Sequence, residues 1–144
     1  MSLSNVYTVG LNNVGSYQVS GIPFASGNLN ATSGTALKVE FPTVTRWVQI
    51  INHSNTELTC SFASGSLSST AGSNCFKVHA AHNANKGESY PPRFEFKVTE
   101  MWFTGSTDFD VVAGLTNIPV ERINNLSGSG GIVGNNWSGS VGVG

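Results

Sequence analysis

Apolar and polar positions alternate with a period of two along most of the chain, which is the signature of half-buried β-strands. The strongest stretch is Arg93–Phe103 (RFEFKVTEMWF), where Phe94, Phe96 and Val98 alternate with Glu95, Lys97 and Thr99. Pro91 and Pro92 open it and a turn at Gly105 closes it. The phase slips at Glu100: Trp102 keeps the phase of Phe94, while Met101 and Phe103 take the opposite one. Burying each large aromatic is worth about 2–3 kcal/mol. The pattern therefore predicts a strand through the middle of a sheet, either bulged near Thr99–Glu100 or buried on both faces at its end.

The remaining elements follow from the same reading. Val6–Leu11 is a first strand or an extended arm, and Tyr17–Phe24 is a strand that Pro23 confines to an edge or an end. Ala36–Phe41 sets Leu37, Val39 and Phe41 against Lys38 and Glu40, and Pro42 ends it. Thr45–Asn52 is apolar in both phases, as in a strand covered on two sides, and His53-Ser54-Asn55 is a turn. Leu58, Cys60 and Phe62 point inward from Glu57–Phe62; Phe76, Val78 and Ala80 mark a further strand. Phe109, Val111, Ala113 and Leu115 form the last, stopped by Ile118-Pro119. The polar stretches Ala25–Thr35, Ser64–Asn74 and Ala81–Tyr90 read as loops. Val120–Leu126 offers a single short helical turn.

Seven or eight short strands at this spacing predict an all-β domain, a single eight-stranded jelly-roll sandwich. An immunoglobulin-like sandwich is the alternative, but its Cys–Trp–Cys order is missing, since Trp47 precedes both cysteines. The predicted core is Leu37, Val39, Phe41, Ile50, Leu58, Phe62, Phe76, Val78, Phe94, Phe96, Val98, Phe109, Val111 and Leu115; Trp47 and Trp102 also read as core. Residues 1–14 form an N-terminal strand or arm and 15–123 the sandwich. Residues 124–144 are rich in Gly, Ser and Asn, with isolated Leu126, Ile132, Val133, Trp137 and Val141. That segment cannot build a core of its own. It is either a flexible tail or an arm whose five apolar residues make assembly contacts on another subunit.

Composition sharpens this picture. Only 10% of the 144 residues are charged, with a net charge of −1, against about 25% charged residues in ordinary soluble domains. Such a surface suits a protein covered by neighbours or one working outside the cell. The seven cations are scattered, which argues against nucleic-acid binding. No apolar run approaches the roughly 18–20 residues of a membrane helix, and the N-terminus has neither the basic nor the apolar region of a signal peptide.

Catalytic chemistry is not evident. No G-x-S-x-G, P-loop or strand-linked G-x-G-x-x-G occurs, so no catalytic, cofactor or metal site is predicted. His79 and His82 could pair on a metal with Glu88 or Asp108, but two solvated imidazoles are the simpler reading. Asp108 and Asp110 share a face and serve best to keep a strand soluble. Cys60 faces in and Cys75 out; a disulfide is the alternative to the two ordinary thiols we read there. The sequons at Asn30, Asn52, Asn125 and Asn136 are as many as this Asn-, Ser- and Thr-rich composition produces by chance.

The succession YQVSGIPF, LKVEFP, RWVQIINHS and AGLTNIP, followed by a Gly/Ser tail, resembles the small single-jelly-roll structural proteins of virus particles. The penton and minor capsid proteins of large double-stranded DNA viruses are the nearest group. The resemblance covers about residues 15–130 and rests on scaffold features. It implies a homo-oligomer, a pentamer closing a capsid vertex beside neighbouring capsid proteins in the virion, with no nucleic-acid or membrane partner. A carbohydrate-binding module or lectin-like attachment protein is the second expectation, with Trp47, Trp102, Trp137 or Tyr90 stacking on a glycan. A cupin-type enzyme is a distant third, since His53, His79 and His82 lack its spacing.

Overall fold

The structure, a computed structural model, describes residues 22–32, 35–62, 67, 75–81 and 91–120. Seven strands lie among them: β1 (Ile22–Ala31), β2 (Leu37–Glu40), β3 (Thr43–Asn52), β4 (Leu58–Ser61), β5 (Cys75–Val78), β6 (Glu100–Thr104) and β7 (Ser106–Pro119). They make two antiparallel sheets, ordered β1-β7-β3 and β2-β6-β4-β5. The chain is thus predominantly β, consistent with an all-β sandwich.

The core lies between the sheets. All fourteen predicted core residues belong to or pack against one apolar cluster. Val48, Ile50, Leu58, Met101, Phe103, Phe109 and Val111 are fully buried in it. Phe103 and Phe109 meet across the layers with ring centroids 5.1 Å apart. Phe62, Phe76, Phe94 and Phe96 form a second aromatic group, in which Phe94 and Phe96 stack at 5.1 Å and Phe62 sits edge-on to Phe96 at 5.0 Å. Such pairs add about 0.5–1.5 kcal/mol each beyond area burial.

Three expectations need correction. Arg93–Phe103 is not one strand. Its first half lies beside β3: Phe94 and Val48 exchange backbone hydrogen bonds at 2.8 Å, and the Thr45 N–H donates to Val98 O at 3.0 Å. Thr45 Oγ1 adds a bond to Phe96 O and accepts one from the Val98 N–H. The chain bends at Thr99, whose carbonyl accepts from the Phe41 N–H, and continues as β6 in the other sheet. The phase slip at Glu100 marks this change of sheet. Each half must aim its apolar side chains at the same core from opposite layers.

Second, Ala25–Thr35 is largely strand. β1 runs through Ser26, Gly27 and Asn30, which turn polar side chains outward or to the edge, and its ladder to β7 supplies the structure that propensity does not. Asn28, at φ 55°, sits in the register break between Ser26 and Leu29, as Asn tolerates better than most residues. Third, Trp47 and Trp102 are half-buried on outer faces rather than in the core. β3 likewise buries one face, through Val48, Ile50 and Asn52, and leaves Gln49 and Ile51 half-covered. The Val6–Leu11 strand and the Val120–Leu126 turn beyond its first residue lie outside the described residues.

β6 passes to β7 through Gly105, again a change of sheet. Gly105 has φ +101°, a Cβ there would lie 2.7 Å from Glu57 O, and its N–H donates to Ala31 O at 2.6 Å. Only glycine fits such a corner without strain. Gly105→Ala should cost at least about 1–3 kcal/mol from backbone strain alone. An unchanged urea midpoint for that variant would show the corner to be tolerant.

Candidate functional site

Two places carry concentrated polar chemistry. The first is built on Asn52, an inward-phase polar residue at the end of β3, fully buried. Its Nδ2 donates to Thr56 O at 2.8 Å and His79 O at 3.0 Å, and its Oδ1 accepts from the Ser54 N–H at 3.1 Å and Ser106 Oγ at 2.8 Å. All the hydrogen-bonding capacity of the amide is used. Ser54 Oγ extends the network to Thr56 and Thr107. One side chain therefore ties together the end of β3, the turn after it, the segment after β5 and the start of β7. This is structural work, and it leaves Nδ2 of the Asn52 sequon inaccessible in the fold; Asn30, by contrast, is exposed.

Beside it, on the outer face of the first sheet, Asp110 Oδ2 lies 2.8 Å from His53 Nε2, and Asp110 Oδ1 accepts from the Asn28 N–H at 2.9 Å. The carboxylate thereby fixes the β1 irregularity. Burial pushes the Asp110 pKa up, but the hydrogen bonds from His53 and Asn28 outweigh it and hold the carboxyl below its ordinary range. Asp108, read as its partner on that face, uses its backbone instead: its carbonyl accepts from the His53 N–H at 3.0 Å.

His79 approaches Glu57 only at 3.9 Å with its side chain 89% exposed. His82 and Glu88 lie outside the described residues, and among the described residues no three His, Cys, Asp or Glu side chains gather as metal ligands do. Cys60 and Cys75 are free. Cys60 pairs with Phe76 and Cys75 with Ser61, so the two thiols point to opposite faces, and burial raises the Cys60 pKa far out of the thiolate range. The proposed assembly residues Leu126, Ile132, Val133, Trp137 and Val141 lie outside the described residues.

The outer faces of the sheets differ. On the second sheet Lys38 bridges Glu40 at 2.6 Å and Glu100 at 2.8 Å, and Lys77 pairs with Glu57 at 2.6 Å. Glu100 first and Glu40 second hold the Lys38 pKa above its ordinary value, and its ammonium sits 5.6 Å from the Trp102 ring centre. A groove of about 530 Å³ opens here, lined by Lys38, Glu40, Thr99, Glu100 and Val120 among others. On the first sheet the cross-strand rows Ala25–Val112–Gln49 and Pro23–Gly114–Trp47 carry no charge. Arg93 stands at their rim, 5.3 Å from the Trp47 ring centre and 3.2 Å from Glu95.

Comparison with protein-family models, with curated proteins and with solved structures returned no match.

The polar clusters join residues 27 to 82 positions apart, and local sequence patterns cannot connect them. An Asn at the inward phase after Val48 and Ile50 was the one available signal, because a buried amide must find partners. Asn52→Ala strands the Ser54 N–H and Ser106 hydroxyl and should cost at least about 2 kcal/mol, read as a lowered urea midpoint with unchanged slope. The Asp110 contacts predict a pH dependence. Because the folded carboxyl titrates lower than the unfolded one, their contribution is complete above about pH 4 and is lost as pH falls through the folded value. The stability gap between wild type and Asp110→Asn should therefore narrow from about pH 6 to about pH 3; a constant gap in thermal melts would refute the assignment.

Proposed function

We propose that this chain is a structural building block that acts by self-association: a jelly-roll subunit of a virus particle, placed at a capsid vertex as a penton or in the shell as a minor capsid protein. The observation that carries the assembly reading is the contrast between the outer faces. One is laced with ion pairs, as a solvated face is. The other presents uncharged rows through Pro23, Ala25, Val112, Gln49 and Trp47, the composition of an interface centre with charges kept to its rim.

The strand order supports the jelly-roll part. Counting the Arg93–Val98 segment as a strand gives eight. The first then pairs with the eighth (β1 with β7), the second with the seventh (β2 with β6), the third with the sixth (β3 with Arg93–Val98) and the fourth with the fifth (β4 with β5). A long hairpin rolled into two sheets has this nesting. Jelly rolls also serve lectins, and fold alone does not choose between them. The tryptophans favour assembly: Trp47 and Trp102 lie on different sheets, each beside a cation, so they do not form one flat aromatic platform for a sugar.

The test is mass in solution by size-exclusion chromatography with light scattering. The full chain should run as a discrete closed oligomer near five subunits, and Val112→Glu should reduce it to folded monomers. A monomer at all concentrations would overturn self-association, and binding on a glycan array would then establish the lectin reading.

A further inference from the structure

The buried residues do not all belong to the inter-sheet core. Val44 and Ile118 are completely buried, yet neither joins the apolar cluster between the sheets. Thr116, also fully buried, donates to Val44 O at 2.7 Å and accepts from the Ile118 N–H at 3.2 Å. Along β7 the buried phase shifts here: Phe109, Val111, Ala113 and Leu115 are buried, then Thr116 and Ile118, while Asn117 and Pro119 are exposed. The β3–β7 register breaks at the same place, Thr45 pairing with Leu115 but Thr43 with Pro119. Two aliphatic side chains without solvent contact and outside the main core need an apolar cover of their own.

We propose that this cover is the chain's own N-terminal segment, residues 1–21, which closes a second small core over Val44 and Ile118. Position favours it. Ile22, where the described chain begins, pairs with Leu115 on β7, about three residues or ~10 Å along the strand from Ile118. Twenty-one residues can extend to roughly 70 Å, so the segment reaches the patch after a single reversal, for which Gly15 and Gly21 supply sites. Composition favours it too. Val6, Tyr7, Val9 and Leu11 form an apolar run with no charged residue anywhere in 1–21, matching an uncharged patch. Residues 121–144 are the competing occupant. They are richer in glycine, which loses more conformational freedom on ordering, and the chain reaches them from Val120, which lines the groove of Lys38, Glu40 and Glu100 on the second sheet's side. The proposal is independent of the assembly reading, because a monomer would close its second core in the same way.

Ile118→Cys, in a Cys75→Ser background, provides the probe. The alkylation rate of the introduced thiol, read at that site by peptide mass spectrometry, reports whether the patch is covered. In the full chain this thiol should be protected at every protein concentration. Removing residues 2–21 should raise the rate at least about tenfold, and removing 121–144 should leave it unchanged. Should the N-terminal deletion not fold, the full-length double variant Val9→Asp/Leu11→Asp should raise the rate in the same way, with circular dichroism confirming the folded sandwich. Protection that survives loss or disruption of the N-terminal segment, or that is lost with 121–144, overturns the proposal. So does protection that fades on dilution, which would place a neighbouring copy on the patch.

Discussion

One chain feeds both sheets of this sandwich, and it must change layer without abandoning its backbone hydrogen bonds. That constraint shapes the middle of the molecule. At Thr99 the carbonyl is taken by the Phe41 N–H, and at Gly105 the N–H is taken by Ala31 O. Both corners lie next to the most deeply buried residues, Met101 and Phe103 on one side and Phe109 on the other. A buried corner with unpaired backbone groups would cost about as much as several lost core contacts. The corners therefore set where β6 begins and ends, and through its pairs with β2 and β4 they set the register of the second sheet.

At the opposite end of β3, polar chemistry does comparable work. Asn52 closes the sandwich from inside and Asp110 fastens the irregular half of β1 from outside. The two differ in solvent access. The amide is sealed and neutral, and its value lies in complete satisfaction. The carboxylate is partly open to water and titrates, so its hold on β1 depends on pH. Together they account for most of the polar side chains on the inner and outer surfaces of that end. Neither arrangement resembles a nucleophile with its base or a ligand set for a metal.

The two outer faces then divide the surface. Charge is concentrated on the second sheet, where Lys38 and Lys77 each find acidic partners. The first sheet keeps uncharged rows flanked by Arg93–Glu95 at one rim and His53–Asp110 at one end. With so few charged residues in the chain, their uneven placement is what gives the sandwich a polar side and an interface-like side, and the proposed assembly role follows from that unevenness.

Much of the sandwich was legible from alternation alone. Ala36–Phe41, Glu57–Phe62 and Phe109–Leu115 are regular half-buried strands, and their inward residues are those that period two selects, because a pleated strand has only two faces. Even the change of sheet left a trace, as the phase slip at Glu100. What alternation could not supply was the partner of each strand. β1 contains Ser26, Gly27, Asn28 and Asn30 and is a strand only because β7 offers it a ladder. Trp47 and Trp102 carry core-like side chains, but the register turns them outward. The Asn52 and Asp110 clusters depend on residues brought together from distant parts of the chain. Local periodicity determined which side chains face the core, since it is a property of consecutive residues; tertiary pairing decided which strands meet, where the sheets exchange the chain and which polar groups are buried together, since those depend on contacts between residues far apart in sequence.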